Sequence, residues 1–126
     1  MNNLVIDTDI FIDLLRGYEK AKRFFEEVKN EDILYFSAVT EIELVSGQDC
    51  RKLDKRAEVI GILSNFLEIP VDNKIALTAG DFRRVYGVAF ADAAIAATAY
   101  ILKANLITRN KKDFEKIREI KVRVPY

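Results

Sequence analysis

The chain has 126 residues, half of them hydrophobic, a length that fits one domain spanning 1–126 with a buried core and leaves little room for a second. Twenty Lys and Arg offset twenty Asp and Glu, so contact with nucleic acid has to be local and not a global basic coat. The single cysteine, Cys50, and the absence of histidine exclude an internal disulfide, Ser-His-Asp and Cys-His catalysis and histidine-ligated zinc, and leave carboxylates, lysine, hydroxyls or a bound metal.

Leu4-Val5-Ile6 is a continuous apolar run, the pattern of a strand buried on both faces of a parallel sheet. Asp9 is placed to cap a helix running through Leu15 and stopped by Gly17. Ala21, Phe24, Phe25 and Val28 recur at helical spacing, which predicts an amphipathic helix over 18–28. Ile33 to Phe36 reads as the next strand, and Ser37 as the cap of a helix ending at Gly47.

The polar stretch from Gln48 to Arg56 reads as an exposed turn that leads into a helix over 53–66. Phe66 to Pro70 is a short edge strand closed by its proline. Asp72 caps a helix through Tyr86, and an alanine-rich helix covers 90–103. Asn105 to Thr108 returns to strand and Ile120 to Val124 supplies the last. Strands alternating with helices predict an α/β sandwich with a central, mainly parallel five-stranded sheet. The start of the chain lacks a signal-peptide pattern and Asp92 interrupts the longest apolar stretch, so no membrane span and a cytoplasmic location are expected.

In parallel sheets ligands bind beyond the carboxyl ends of the strands, which directs attention to the residues just after each strand. Asp7 ends an apolar run, where an unpaired charge costs several kcal/mol, of order, or shifts its pKa. A bound cation removes that cost, whereas a helix-capping role explains the residue without one. Glu43 has two readings that the sequence leaves open. Thr40 and Glu43 have capping-box spacing, whereas a cap at Ser37 puts Glu43 in the second turn, projecting from the helix.

Asp92 is the only charge between Val88 and Tyr100, in the first turn of a helix whose small residues imply close packing. Asn110 and Asp113 follow the strand ending at Thr108, as helix cap and first-turn acid. Acids gathered from three strand ends and a helix start, without histidine or thiolate, make an oxygen-only site of the kind Mg²⁺ or Mn²⁺ prefers. Phosphodiester hydrolysis is the reaction such a site best fits.

Five segments in order, Val5 to Leu15, Ser37 to Leu44, Asp92 to Ala99, Leu106 to Phe114 and Pro125-Tyr126, resemble the PIN-domain family and within it the VapC-type toxin ribonucleases. The resemblance implies a metal-dependent endoribonuclease with Asp7, Glu43, Asp92 and Asp113 around Mg²⁺ or Mn²⁺. It implies that Thr8 and Thr108 orient carboxylates or water and that Asn110 shapes the pocket, with the fourth ligand position falling to Asp113 or to Asn110. It further implies an RNA substrate, a homodimer and a small VapB-like antitoxin, for which 48–66 is the candidate contact. Arg16, Arg83, Arg84, Arg109, Lys111 and Lys112 are candidates to meet RNA phosphates.

Two alternatives stand beside this reading. Ile6-Asp7-Thr8-Asp9 also resembles the start of haloacid-dehalogenase-like phosphatases, with Asp7 as nucleophile, but the paired late acids of that family are missing after Leu106-Ile107-Thr108. A non-catalytic PIN-like module that only binds a protein is opposed by the presence of all four acids.

Overall fold

The computed structural model describes residues 2–28 and 30–126. Among these, five strands form one sheet in the order β3-β2-β1-β4-β5, every neighbouring pair parallel. The strands are β1 (Asn3–Ile6), β2 (Ile33–Ser37), β3 (Leu67–Ile69), β4 (Asn105–Ile107) and β5 (Lys121–Arg123). The helices are α1 (Thr8–Leu15), α2 (Glu19–Glu27), α3 (Ala38–Val45), α4 (Leu53–Leu63), α5 (Asn73–Tyr86), α6 (Phe90–Ile101) and α7 (Lys111–Phe114).

The central strand explains the two-layer covering. Along β1, Val5 points into a core with Leu106, Ile75, Phe82 and the alanines of α6, while Leu4 and Ile6 point into a second core with Ile10, Phe11, Phe36 and Ile107. Successive side chains of a strand face opposite sides, so the unbroken apolar run of the sequence is what a strand with helices on both faces requires. The alanines at 93, 96, 97 and 99 are fully buried and let α6 lie close to the sheet. On the other face Phe11 stacks with Phe25 and meets Phe36 and Phe66 edge-on at ring separations of 5.9 and 5.0 Å.

Element ends follow local chemistry. α1 ends at Leu15 and the chain turns through Gly17 at φ +76°, a conformation glycine adopts without a Cβ penalty. The helix expected over 53–66 stops at Leu63, where the hydroxyl of Ser64 donates back to Gly61 O and Asn65 to Gly61 and Ile62 carbonyls. The alanine-rich helix ends at Ile101, two residues short of expectation, because Lys103 takes a left-handed backbone at φ +52°. The polar stretch after Gly47 contains a 3₁₀ turn, Gln48–Arg51.

β1 sits between β2 and β4, which the chain reaches in opposite directions, so the sheet changes winding direction between β1 and β4. That switch point, at the carboxyl ends of the strands, is where an open parallel sheet offers a crevice. Among the described residues, no helix is long and apolar enough to cross a membrane.

Candidate active site

The switch point is closed by hydrogen bonds that continue past the strands. Asp7 N–H donates to Ile107 O at 2.9 Å and Thr108 N–H to Arg123 O at 3.1 Å, fixing the residues after β1 and β4 side by side. Asp7 is 5 % exposed and Thr108 fully buried. The Thr108 hydroxyl donates to Asp7 Oδ2 at 2.7 Å and in turn accepts from Asn110 N–H at 2.9 Å.

The other Asp7 oxygen accepts from Thr8 N–H at 2.8 Å, which makes Asp7 the N-cap of α1. The cap expected at Asp9 is therefore two residues too late: Asp9 lies inside the first turn of the helix. The alternatives of cap and site residue for Asp7 do not compete, since one carboxylate occupies both places.

Ser37 settles the two readings of Glu43. Its hydroxyl accepts from Val39 N–H at 3.1 Å and caps α3, so Glu43 falls in the second turn instead of folding back from a capping box. There Glu43 Oε1 accepts from the Thr8 hydroxyl at 2.6 Å. Thr8 and Thr40 hydroxyl oxygens are 2.9 Å apart. With the Thr8 proton given to the Glu43 carboxylate, Thr40 is the donor to Thr8, and a relay of two buried hydroxyls ties α1 to α3.

Asp92 lies in the first turn of α6 and is half-buried. Asp113 is exposed and accepts from the Asn110 side-chain amide at 2.6 Å, so these two residues form one unit at the start of α7. The helix cap expected of the Asn110 side chain is not made.

The electrostatics show that these acids face one another. Burial, followed by the charge of Asp9, pushes the Asp7 carboxyl up to about 7, against the lowering effect of its bonds from Thr108 and Thr8. Burial also raises Asp9, opposed by the Arg109 N–H that Asp9 Oδ2 accepts at 3.0 Å. Asp92 is raised by burial and then by the charges of Asp113, Glu43 and Asp9, in that order. Asp9 Oδ1 is buried with no hydrogen-bond partner.

Asp9 and Thr40 are the members of this constellation that sequence reasoning undervalued, having read Asp9 as a helix cap and Thr40 as one of two alternative caps of α3. The Asp7-x-Asp9 spacing was the available signal, since a second acid beside a buried one raises the energy of both. Of the basic residues, Arg109 is ion-paired to Asp13 at 3.0 Å and Arg84 to Asp81 at 3.0 Å, while Arg83 lies over the Phe90 ring. Lys111 and Lys112 remain exposed beside Asn110. A cleft of about 420 Å³ adjoins Glu43 between α1, α3 and α4, lined by Ile12, Leu15, Leu44, Cys50 and Val59 among others. A larger one of about 530 Å³ lies by α2 and the segment after β5, lined by Lys20, Arg23 and Arg123, and none of the acids above borders it.

Residues 4–120 match the family model of the PIN domain. The chain belongs to the PIN-domain family. This PIN domain is 30% identical over 123 residues to Ribonuclease VapC10 of Mycobacterium tuberculosis, covering 94% of this chain and 90% of that protein. It is 29% identical over 132 residues to Ribonuclease VapC1 of Methanocaldococcus jannaschii, covering 98% and 87%. Among solved structures it resembles a chain of a toxin-antitoxin complex from Klebsiella pneumoniae, with a TM-score of 0.81, 32% sequence identity and 98% of both chains covered.

The donor set of this PIN domain fits a hard divalent cation. Its acids offer only oxygen, one buried carboxylate oxygen of Asp9 lacks any donor, and Asp7 and Asp92 carry their charge at a cost that a cation offsets. Among the described residues, no three acids are yet drawn together tightly enough to hold one ion as they stand. Glu43 and Asp113, both exposed, are the two with room to move toward the buried pair.

Proposed function

We propose that this PIN domain is a Mg²⁺- or Mn²⁺-dependent endoribonuclease, the toxin of a type II toxin-antitoxin pair. The observation that carries the reading is the facing arrangement of Asp7, Asp9, Glu43 and Asp92, in which Asp7 is pushed up to about 7 by burial and by its acidic neighbour. Asp7, Glu43 and Asp92 would hold the ion, with Asp113 or Asn110 at the fourth position and Asp9 alongside. A cation so held lowers the pKa of a bound water and offsets charge on the scissile phosphate.

The chain's own residues supply the rest. Thr108 and Thr8 N–H fix both oxygens of Asp7, so its orientation is set before any ligand arrives. The Thr40–Thr8 relay holds one oxygen of Glu43 and leaves the other to turn inward. Asn110 does the same for Asp113. Exposed Lys111 and Lys112, with Arg16 at the rim of the cleft beside Glu43, are placed to meet RNA phosphates locally.

The partner in this reading is a VapB-like antitoxin, and its relatives include a chain solved in a toxin-antitoxin complex. The cleft of about 420 Å³ beside Glu43 takes in the 48–66 region through Cys50 and Val59, which gives an antitoxin segment a seat next to the acids. A homodimer and a cytoplasmic location belong to the same reading. The phosphatase alternative lapses with the family assignment, and the binding-only module is not favoured by ribonuclease relatives that cover nearly the whole chain.

The test uses purified, antitoxin-free protein and a panel of single-stranded RNAs. Cleavage in Mg²⁺ or Mn²⁺ that stops on chelation and in Asp7→Asn is expected. Folded protein that binds neither ion and cuts no RNA would overturn the proposal.

A further inference from the structure

The exit of β4 carries a second arrangement that the acidic site does not use. Arg109 Nη1 donates to Asp13 Oδ2 at 3.0 Å, and the Tyr126 hydroxyl donates to the same oxygen at 2.7 Å. The guanidinium carbon lies 5.7 Å from the ring centres of both Tyr18 and Tyr126, and the two rings are themselves 5.7 Å apart. One guanidinium thus joins α1, the turn before α2, the exit of β4 and the segment after β5.

The backbone of the same residue is held as well, since Arg109 N–H donates to Asp9 Oδ2 at 3.0 Å. Asp9 and Asp13 are one helical turn apart on α1, so a single helix face grips Arg109 at two points, backbone and side chain. Its neighbours on either side are the residues that orient the acids: Thr108 donates to Asp7 and Asn110 to Asp113. Any shift of Arg109 relative to α1 displaces both.

We infer that Asp13, Arg109, Tyr18 and Tyr126 are positioning residues, a grip that sets the 108–110 segment against α1 and thereby aligns Asp7 and Asp113 for the cation. The inference rests on the nuclease reading above. It also revises the role of Arg109, which sequence reasoning grouped with phosphate contacts. Arginine is required here, because its guanidinium donates to Asp13 while its carbon lies near two aromatic rings, a combination that the compact, strongly hydrated ammonium of lysine does not reproduce.

Arg109→Lys and Tyr126→Phe, made in the full chain, test this with three measurements. Amide hydrogen exchange at 108–110 in metal-free protein reports the grip itself. Mn²⁺ titration calorimetry reports the alignment, and steady-state RNA cleavage separates kcat from KM. Exchange at Arg109 and Asn110 is expected to quicken at least about tenfold, the Mn²⁺ Kd to rise by about tenfold or more, and kcat to fall with KM unchanged. Tyr126→Phe removes one hydroxyl and serves if Arg109→Lys does not fold.

Wild-type exchange and wild-type Mn²⁺ affinity in a folded variant would overturn the inference. So would a raised KM with unchanged kcat, which makes Arg109 a substrate contact. Failure of the wild type to bind Mn²⁺ strikes the nuclease reading instead, and unchanged exchange in the variants then refutes the grip on its own.

Discussion

Replacing Asp7 with asparagine should stabilise the metal-free protein while abolishing its activity. The Asp7 carboxyl stands at about 7 in the folded chain against an ordinary 3.8, so the folded state holds a proton that the unfolded chain releases. Stability from this group is complete below about pH 4, falls as pH rises, and is lost above pH 7, by about 1.4 kcal/mol per pH unit in between. At pH 7.5 the accumulated cost is on the order of 4 kcal/mol. Asparagine carries no such cost and surrenders about 1 kcal/mol of charge-assisted hydrogen bonding to Thr108 and Thr8 N–H. A net gain of about 2–3 kcal/mol follows for Asp7→Asn in EDTA.

Urea unfolding at half-unit steps from pH 4 to 8 measures this directly. The wild-type curve should descend with pH and the Asp7→Asn curve descend less steeply, with Asp9 and Asp92 supplying what slope remains. Saturating Mn²⁺ should reverse the order, because only the wild type gains from the ion. A flat wild-type profile, with Asp7→Asn no more stable at pH 7.5, would refute the claim that the site carries charge at a cost.

Thr8→Val breaks the relay from Thr40 to Glu43 and should weaken Mn²⁺ binding about tenfold with about 1 kcal/mol of stability lost, whereas Thr8→Ser keeps both; calorimetry and thermal unfolding separate the two. Asp113→Asn should cost more Mn²⁺ affinity than Asn110→Ala, and the opposite order would assign the fourth position to Asn110. Phe11→Ala removes a buried ring that meets Phe25, Phe36 and Phe66 and should lower unfolding free energy by about 3–5 kcal/mol, read from the urea midpoint.

Much of the fold was legible because periodicity reports burial. The run Leu4-Val5-Ile6 announced a strand covered on both faces, and Ala93 to Ala99 announced a helix lying close to the sheet. Helix ends were less legible where side chains compete for backbone carbonyls, as Ser64 and Asn65 do beyond Leu63. Strand order was inaccessible to local pattern, since β1 pairs with a strand a hundred residues away. In the site, strand-end placement found Asp7, Glu43 and Asp113, and a lone charge at the start of a small-residue helix found Asp92, whose carboxyl is raised in part by the charges of Asp113 and Glu43. The same rule missed Asp9, because a carboxylate two residues into a helix looks the same in sequence whether it meets solvent or a second buried acid. The pairing of Arg109 was illegible for a related reason: a basic residue on an exposed loop reads as free until its partners on other elements, here Asp13, Tyr18 and Tyr126, are known.

The pairing of β1 with β4 places Asp7 next to Thr108, 101 residues later in the chain. Contacts so distant in sequence close slowly, after the intervening chain has been ordered. On the ribosome the first strand and its aspartate emerge long before their partners exist, so a nascent chain that has not yet delivered residue 108 carries the acid of β1 without the hydroxyl that aims it. Each molecule thus acquires its oriented acid cluster only once residue 108 has been made, and a message interrupted before that point yields fragments without it.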